Sequence, residues 1–107
     1  MSNIDLNNSD KSKYTALMIA IQKKNTEIAL KLINKMTSEG LNKQDKDGYT
    51  ALMFAIMEKN TEIASALINS EKMTPVGLNI QNRYGYTALM EAISEETTEI
   101  ASALIDS

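Results

Sequence analysis

Apolar residues along the middle of the chain recur with the spacing of two short helices. Leu52, Ala55 and Ile56 stand at i, i+3 and i+4, which predicts a first helix over about residues 50–58. Thr50 is a suitable N-cap for it, because a threonine hydroxyl accepts from a free N–H of the first turn. After a break at residues 59–60, a second stripe begins near Thr61 and consists of Ile63, Ala64, Leu67 and Ile68.

The same pattern is written three times, so the periodicity is a property of the whole chain. GYTALMFAI at 48–56 appears as KYTALMIAI at 13–21 and as GYTALMEAI at 85–93. Two helices this short cannot bury an apolar stripe alone, whereas stacked neighbours can. The sequence therefore predicts an all-α repeat solenoid, a single domain over 1–107 in which each unit is a turn, two helices and a loop. The three units span residues 6–40, 41–77 and 78–107.

Variation in length between units is confined to the connectors at 34–40 and 69–77. Insertions are best tolerated where they disturb no packed backbone, which predicts that both connectors are exposed loops. The segments before the repeated tyrosine are rich in Asn, Asp and Gly, residues that favour tight turns.

The units resemble ankyrin repeats over residues 6–107. DKDGYTALMFA at 45–55 is similar to the family's D-x-x-G-x-T-P-L-H-x-A, and NTEIASALI at 60–68 is similar to its second-helix pattern. The resemblance implies three stacked helix-turn-helix units joined by hairpin-like loops. It also implies a non-catalytic module that binds a protein partner through a concave surface made of turn tips and first helices.

Several residues depart from the family pattern at defined positions. Lys13 replaces the turn glycine of the first unit, which predicts a less well-formed turn there. Methionine replaces the family's histidine and is expected to fill its space by packing, with some loss of turn rigidity. The methionines are Met18, Met53 and Met90; Ala16, Ala51 and Ala88 stand in place of proline, and Lys24, Lys59 and Glu96 in place of the glycine that ends the first helix.

Residues that occupy the implied binding surface differ between units, as a recognition surface requires. Two interpretations of the repeated tyrosines Tyr14, Tyr49 and Tyr86 stay open, since they either bind a partner or brace the turns. Tyr84 and Met57 are not repeated and are therefore better partner candidates. The candidate partner-binding residues are Tyr14, Gln22, Lys23, Lys46, Asp47, Tyr49, Met57, Glu58, Arg83, Tyr84, Tyr86, Ser94 and Glu95.

The residue after TALM is Ile19, Phe54 or Glu91. One interpretation makes this position a selectable contact. The other, which we favour, places Ile19 and Phe54 between units and Glu91 in solvent at the last unit.

Composition narrows the classes of function. Among 107 residues there is no His, no Cys and no Trp, and there is no Gly-rich phosphate loop, which argues against an enzyme, a cofactor or a metal site. The acidic run at 94–99 lacks the ligand pattern of a calcium loop and is interpreted as a solvated helix end. A net charge of −3 argues against nucleic-acid binding. The sequence shows no signal peptide and no apolar run long enough to span a membrane, so we expect a cytoplasmic protein.

Charge is distributed unevenly along the array. Residues 6–40 carry six lysines and three acidic residues, whereas residues 78–107 carry one arginine and five acidic residues. We expect a monomer, with weak head-to-tail association as a hypothesis that salt would suppress. The alternative to a binding module is a structural spacer or a segment of a longer ankyrin array without a specific concave-face partner.

Overall fold

The computed structural model describes residues 4–107. Residues 1–3 lie outside the described residues. They are part of the predicted domain over 1–107 and of the N-terminal segment in which no signal peptide was found. The described part is helical, with one isolated bridge between Ser9 and Thr15 and no strand. Its helices are α1 (Ala16–Gln22), α2 (Thr26–Lys35), α3 (Ser38–Leu41), α4 (Ala51–Met57), α5 (Thr61–Ile68), α6 (Pro75–Leu78), α7 (Ala88–Ser94) and α8 (Thr98–Ile105).

The long helices stack in two rows. The first helices α1, α4 and α7 contact one another in chain order, and the second helices α2, α5 and α8 do the same. The two helices of each repeat also contact each other, so every repeat packs only on its neighbours. In the central repeat all of α4 except Met57 is buried, which confirms the predicted stack. None of the helices in residues 4–107 is both long and apolar enough to cross a membrane.

Threonine caps begin the first helices, as the sequence predicts for Thr50. The Oγ1 atoms of Thr15, Thr50 and Thr87 accept hydrogen bonds from the N–H of the methionine three residues later, at 3.2, 3.3 and 3.4 Å. Asn25 and Asn60 cap the second helices α2 and α5 in the same way. Each cap satisfies a helix N–H that has no partner within the helix.

Each first helix ends at a residue in the left-handed region. The φ angles of Lys24, Lys59 and Glu96 are +61°, +57° and +60°. After α4 the N–H of Lys59 donates to the carbonyl of Ile56, and the N–H of Asn60 donates to the carbonyl of Ala55, both at 2.9 Å. This pair of bonds is a Schellman motif, which usually takes glycine at this position. The chain therefore closes three helices with strained non-glycine residues.

The first turn is as well formed as the others, contrary to the expectation from Lys13. Lys13 adopts φ +69°, close to +82° at Gly48 and +78° at Gly85. Its N–H donates to the carbonyl of Asp10 at 2.9 Å, the same bond that Gly48 makes to Asp45. The prediction was wrong because the aspartate side chain, rather than glycine alone, holds the turn.

The variation in length predicts that both connectors are exposed loops, and this is only partly correct. Each contains a one-turn helix, α3 or α6, capped by Thr37 or Thr74. In the first connector Met36 is fully buried, so this segment contributes to the core. The longer second connector brings Lys72 Nζ to the carbonyls of Ile33 and Asn34, at 3.1 and 2.7 Å.

The methionines of the TALM phrase do not share one environment. Met18 and Met53 are buried, as expected for side chains that fill the histidine space, whereas Met90 is exposed. The sulfur of Met18 additionally accepts from the N–H of Thr15 at 3.4 Å, which completes a reciprocal cap.

Candidate functional site

An aspartate or asparagine side chain shapes the turn in front of each first helix. In repeat 2 the Oδ1 atom of Asp45 accepts from the N–H groups of Asp47 and Tyr49, both at 2.9 Å. Asp10 and Asn82 make the equivalent bonds in repeats 1 and 3. A side chain that binds its own backbone in this way fixes the turn, and with it the direction of the tyrosine that follows.

Adjacent turn tips are also bonded to each other. The N–H of Arg83 donates to the carbonyl of Asp47 at 2.9 Å. Gln44 Nε2 donates both to the carbonyl of Gly48 and to the carbonyl of Gln81. These bonds join the turns of repeats 2 and 3 into one ordered surface.

Three aromatic rings pack side by side behind the turns. Phe54 is buried, with its ring centroid 6.0 Å from that of Tyr14 and 5.7 Å from that of Tyr49. Contacts of this kind add to what burial alone contributes. Tyr14 and Tyr49 are half-buried, so they brace the stack while part of each ring stays accessible. Tyr86 is more exposed and makes no ring contact with this cluster.

A depression of about 240 Å³ opens in front of these rings, and we call it the turn-tip depression. It brings together six of the candidate residues, drawn from all three repeats. Phe54 and Asp45 were not among the candidates. A signal for Phe54 was present, since it is the only phenylalanine in the chain and occupies the variable position after TALM. The lining residues are Tyr14, Asp45, Asp47, Tyr49, Phe54, Met57, Arg83 and Tyr84.

One rim of the turn-tip depression is charged. Arg83 Nη1 forms a 2.9 Å ion pair with Asp47 Oδ1, and the Arg83 guanidinium lies 5.4 Å from the ring centroid of Tyr84. Tyr84 is 66% exposed and Met57 is 39% exposed. The depression thus combines an aromatic floor with accessible apolar and charged side chains at its edge. Such a combination is typical of protein-binding hot spots.

The other candidates lie outside the turn-tip depression. Gln22, Met57 and Ser94 are the last residues of α1, α4 and α7, and each is followed by a C-cap residue. This row of helix ends runs beside the turns, and of its members only Met57 reaches the depression. The candidates that the structure does not bring into the depression are Gln22, Lys23, Lys46, Glu58, Tyr86, Ser94 and Glu95.

Glu91 is buried, so the interpretation that places it in solvent is wrong. Its Oε1 atom accepts a hydrogen bond from Asn82 Nδ2 at 2.9 Å, and both residues are buried under the third turn. Phe54 is buried as expected between units, but Ile19 is exposed. The polar residue at the last repeat is therefore not a solvent-facing replacement, because the turn folds over it and supplies a donor.

The fold alters the acidity of the Tyr49 hydroxyl. Burial raises the pKa of Tyr49 above its usual value of 10.0, and the carboxylate of Glu91 raises it further. Tyr84, Asp45 and Asp47 act in the same direction. The Tyr49 hydroxyl therefore holds its proton more tightly than a free tyrosine does.

A stack of helix pairs with ordered turn tips defines a helical repeat protein. The family model described as "Ankyrin repeats (3 copies)" matches residues 30–107. The chain therefore belongs to the ankyrin repeat family. No curated protein matches the sequence. Ankyrin repeats are generally protein–protein interaction modules and are typically not enzymes.

Proposed function

We propose that the chain is a non-catalytic module that binds a protein partner through its concave face, formed by the turn tips and the first helices. The observation that carries the proposal is the turn-tip depression, to which all three repeats contribute. Its floor is aromatic, and its rim presents Tyr84 and Met57 to solvent. We propose that an apolar side chain of the partner occupies the depression and that the rim contacts the adjacent backbone.

Order in the free protein supports tight binding by such a surface. The turns are held by side-chain and inter-turn hydrogen bonds, and Arg83 is positioned by Asp47 before any partner arrives. Because these groups are already fixed, association costs little conformational entropy. The net charge of −3 favours a protein over a nucleic acid as the partner. We expect this partner in the cytoplasm.

The test compares capture of proteins from the lysate of the source cell by the native chain and by two variants. The site variant carries Tyr84→Ala and Met57→Asp. The matched control carries Val76→Asp, which places the same charge on an exposed apolar residue of α6, remote in sequence from the turn tips. Circular dichroism first establishes equal helicity. A protein retained by the native chain and by the control, but not by the site variant, is the expected partner.

A photoreactive amino acid in place of Tyr84 then shows whether the captured protein touches the depression. A crosslink from this position, and its absence when Val76 is replaced in the same way, is the expected result. Equal capture by all three proteins would overturn the concave-face proposal. The structural alternative would then lead, and the observation that favours it is the exposed apolar surface on the last repeat, which is described next.

A further inference from the structure

The last repeat exposes apolar residues whose counterparts in the earlier repeats are buried. Ile93 is 61% exposed, whereas its counterpart Ile56 is fully buried; Ile105 is 66% exposed, against 7% for Ile68. A groove of about 400 Å³ runs between these two isoleucines over Ala101. In repeats 1 and 2 these positions pack on the following repeat. We call this surface the C-terminal face and define it by Met90, Ile93, Glu96, Ala101, Ser102, Ile105 and Asp106.

The first repeat also exposes an apolar residue whose counterparts in the other repeats are buried. Ile28 is exposed, although its counterparts Ile63 and Ile100 are buried against the preceding repeat. A largely apolar groove of about 470 Å³ lies beside Ile28, flanked by two lysines. We call this surface the N-terminal face and define it by Leu6, Ile19, Ile28, Lys31, Leu32 and Lys35.

The contact between repeats 1 and 2 shows how two such faces meet. The cavity at this junction is lined by Leu30, Ile33 and Asn34 of α2 on one side. On the other side it is lined by Ala66 of α5 and by Ser70 just beyond it. None of these residues is charged, and Ala66 and Ser70 are small; the charged residues that also line the cavity, Glu71 and Lys72, belong to the second connector.

Carried over to the two end faces, the same register brings opposite charges together. Ser102, Ile105 and Asp106 of α8 and its C-cap are the counterparts of Leu30, Ile33 and Asn34. Lys31 and Lys35 of α2 are the counterparts of Ala66 and Ser70. An aspartate thus replaces a neutral residue on one side, and two lysines replace small residues on the other. Glu96 adds a second acid on the C-terminal face, where the earlier repeats carry Lys24 and Lys59.

We propose that the C-terminal face binds the N-terminal face of a second copy of this chain, head to tail, in the geometry of the internal repeat junctions. Apolar contact joins Ile93 and Ile105 of one copy to Ile28 of the next. Asp106 lies opposite Lys31 and Lys35, which selects this register over face-to-face pairing. The contact is heterologous, so it adds copies to both ends and forms a growing row. It does not depend on the concave-face proposal.

Sedimentation velocity of the purified chain over a range of concentrations tests the proposal. We expect the mean mass to rise with concentration, and to rise less at 1 M salt, where exposed charges are screened within about 3 Å. Ile105→Asp raises the concentration needed for association by about tenfold or more, because burial of one isoleucine is worth at least that factor. Val76→Asp, the matched control on an exposed residue, leaves association unchanged.

A mixing experiment distinguishes head-to-tail contact from every symmetric arrangement. Ile105→Asp disables the C-terminal face and Ile28→Asp the N-terminal face, so each variant alone is a monomer. Both residues are exposed, and circular dichroism first establishes that each variant keeps the helicity of the native chain. Mixed together, the two variants form a 1:1 dimer and nothing larger, because each still has one intact face.

Exchange of charge tests the register. Asp106→Lys weakens association, and the triple variant with Lys31→Glu, Lys35→Glu and Asp106→Lys restores it. A mass that does not change with concentration, a mixture that stays monomeric, or a single-face variant that still forms dimers would overturn the proposal. Loss of association in the triple variant would overturn the assigned register.

Discussion

Replacement of Lys59 by glycine should stabilise the protein. Lys59 lies at φ +57° as the residue after the C-cap of α4, its side chain is exposed, and its backbone bonds need no change. A left-handed conformation costs an L-residue about 1–2 kcal/mol. Glycine does not have this cost but loses about 0.5–1 kcal/mol more conformational entropy on folding. The difference predicts that the free energy of unfolding rises by about 0.5–1 kcal/mol.

Two control variants isolate the backbone conformation from other effects. Lys59→Ala removes the same charge but keeps the Cβ atom, so it should bring no gain. Glu58→Gly changes the preceding residue, which has φ −81°, and should lower the stability by about 0.5–1 kcal/mol. Urea denaturation followed by circular dichroism at constant m-value measures all three variants. If Lys59→Gly is no more stable than Lys59→Ala, the left-handed residues are not strained and the reasoning is refuted.

Three further predictions concern packing, turn geometry and pH. Leu67→Ala, at a fully buried position in the last turn of α5, should lower the free energy of unfolding by about 2–5 kcal/mol, and a loss below 1 kcal/mol in urea titration would contradict the assigned core. Gly48→Ala should lower the free energy of unfolding more than Gly85→Ala does in the same assay. Both positions have positive φ. A Cβ atom at Gly48 would lie 2.9 Å from the backbone of the next turn, whereas a Cβ atom at Gly85 would meet nothing within 4 Å. Tyr49 should ionise above its ordinary pKa of 10.0 in an ultraviolet titration, because burial and the Glu91 carboxylate raise its pKa. The folded state therefore binds this proton more tightly, and stability falls as pH rises above about 10. Tyr49→Phe should remove this ionisation step and this part of the loss.

The two-helix unit could be predicted from the sequence because its signals are local. Apolar spacing sets each helix, and Thr50 and its counterparts cap it within three residues. Helices α3 and α6 could not be predicted in the same way. Each has only four residues, too few to show a helical period, and its formation depends on a threonine cap within a connector. The ankyrin fold follows from the repeated unit, whereas these additions do not.

The surface residues of the candidate site could be predicted in outline from the sequence, whereas the buried contact beneath the third turn could not. The family resemblance assigns Tyr14, Tyr49 and Tyr84 to one surface, and all three line the turn-tip depression. The burial of Glu91 depends on Asn82 reaching over the helix, a contact between side chains nine residues apart. A glutamate read alone is expected in solvent. Only the folded turn shows that a partner for its carboxylate is present.

The longer second connector affects how the stacked repeats unfold locally. Lys72 donates to two carbonyls at the end of α2, and its own carbonyl accepts from the hydroxyl of Ser38 at the start of α3. A positive charge at a helix C-terminus is favourable, so Lys72 stabilises the end of α2 and links repeats 1 and 2. Fraying of the end of α2 then requires the second connector to be released as well. The insertion therefore joins two neighbouring repeats into one cooperative unit of local unfolding, which amide hydrogen exchange would show as matched protection on both sides of the boundary.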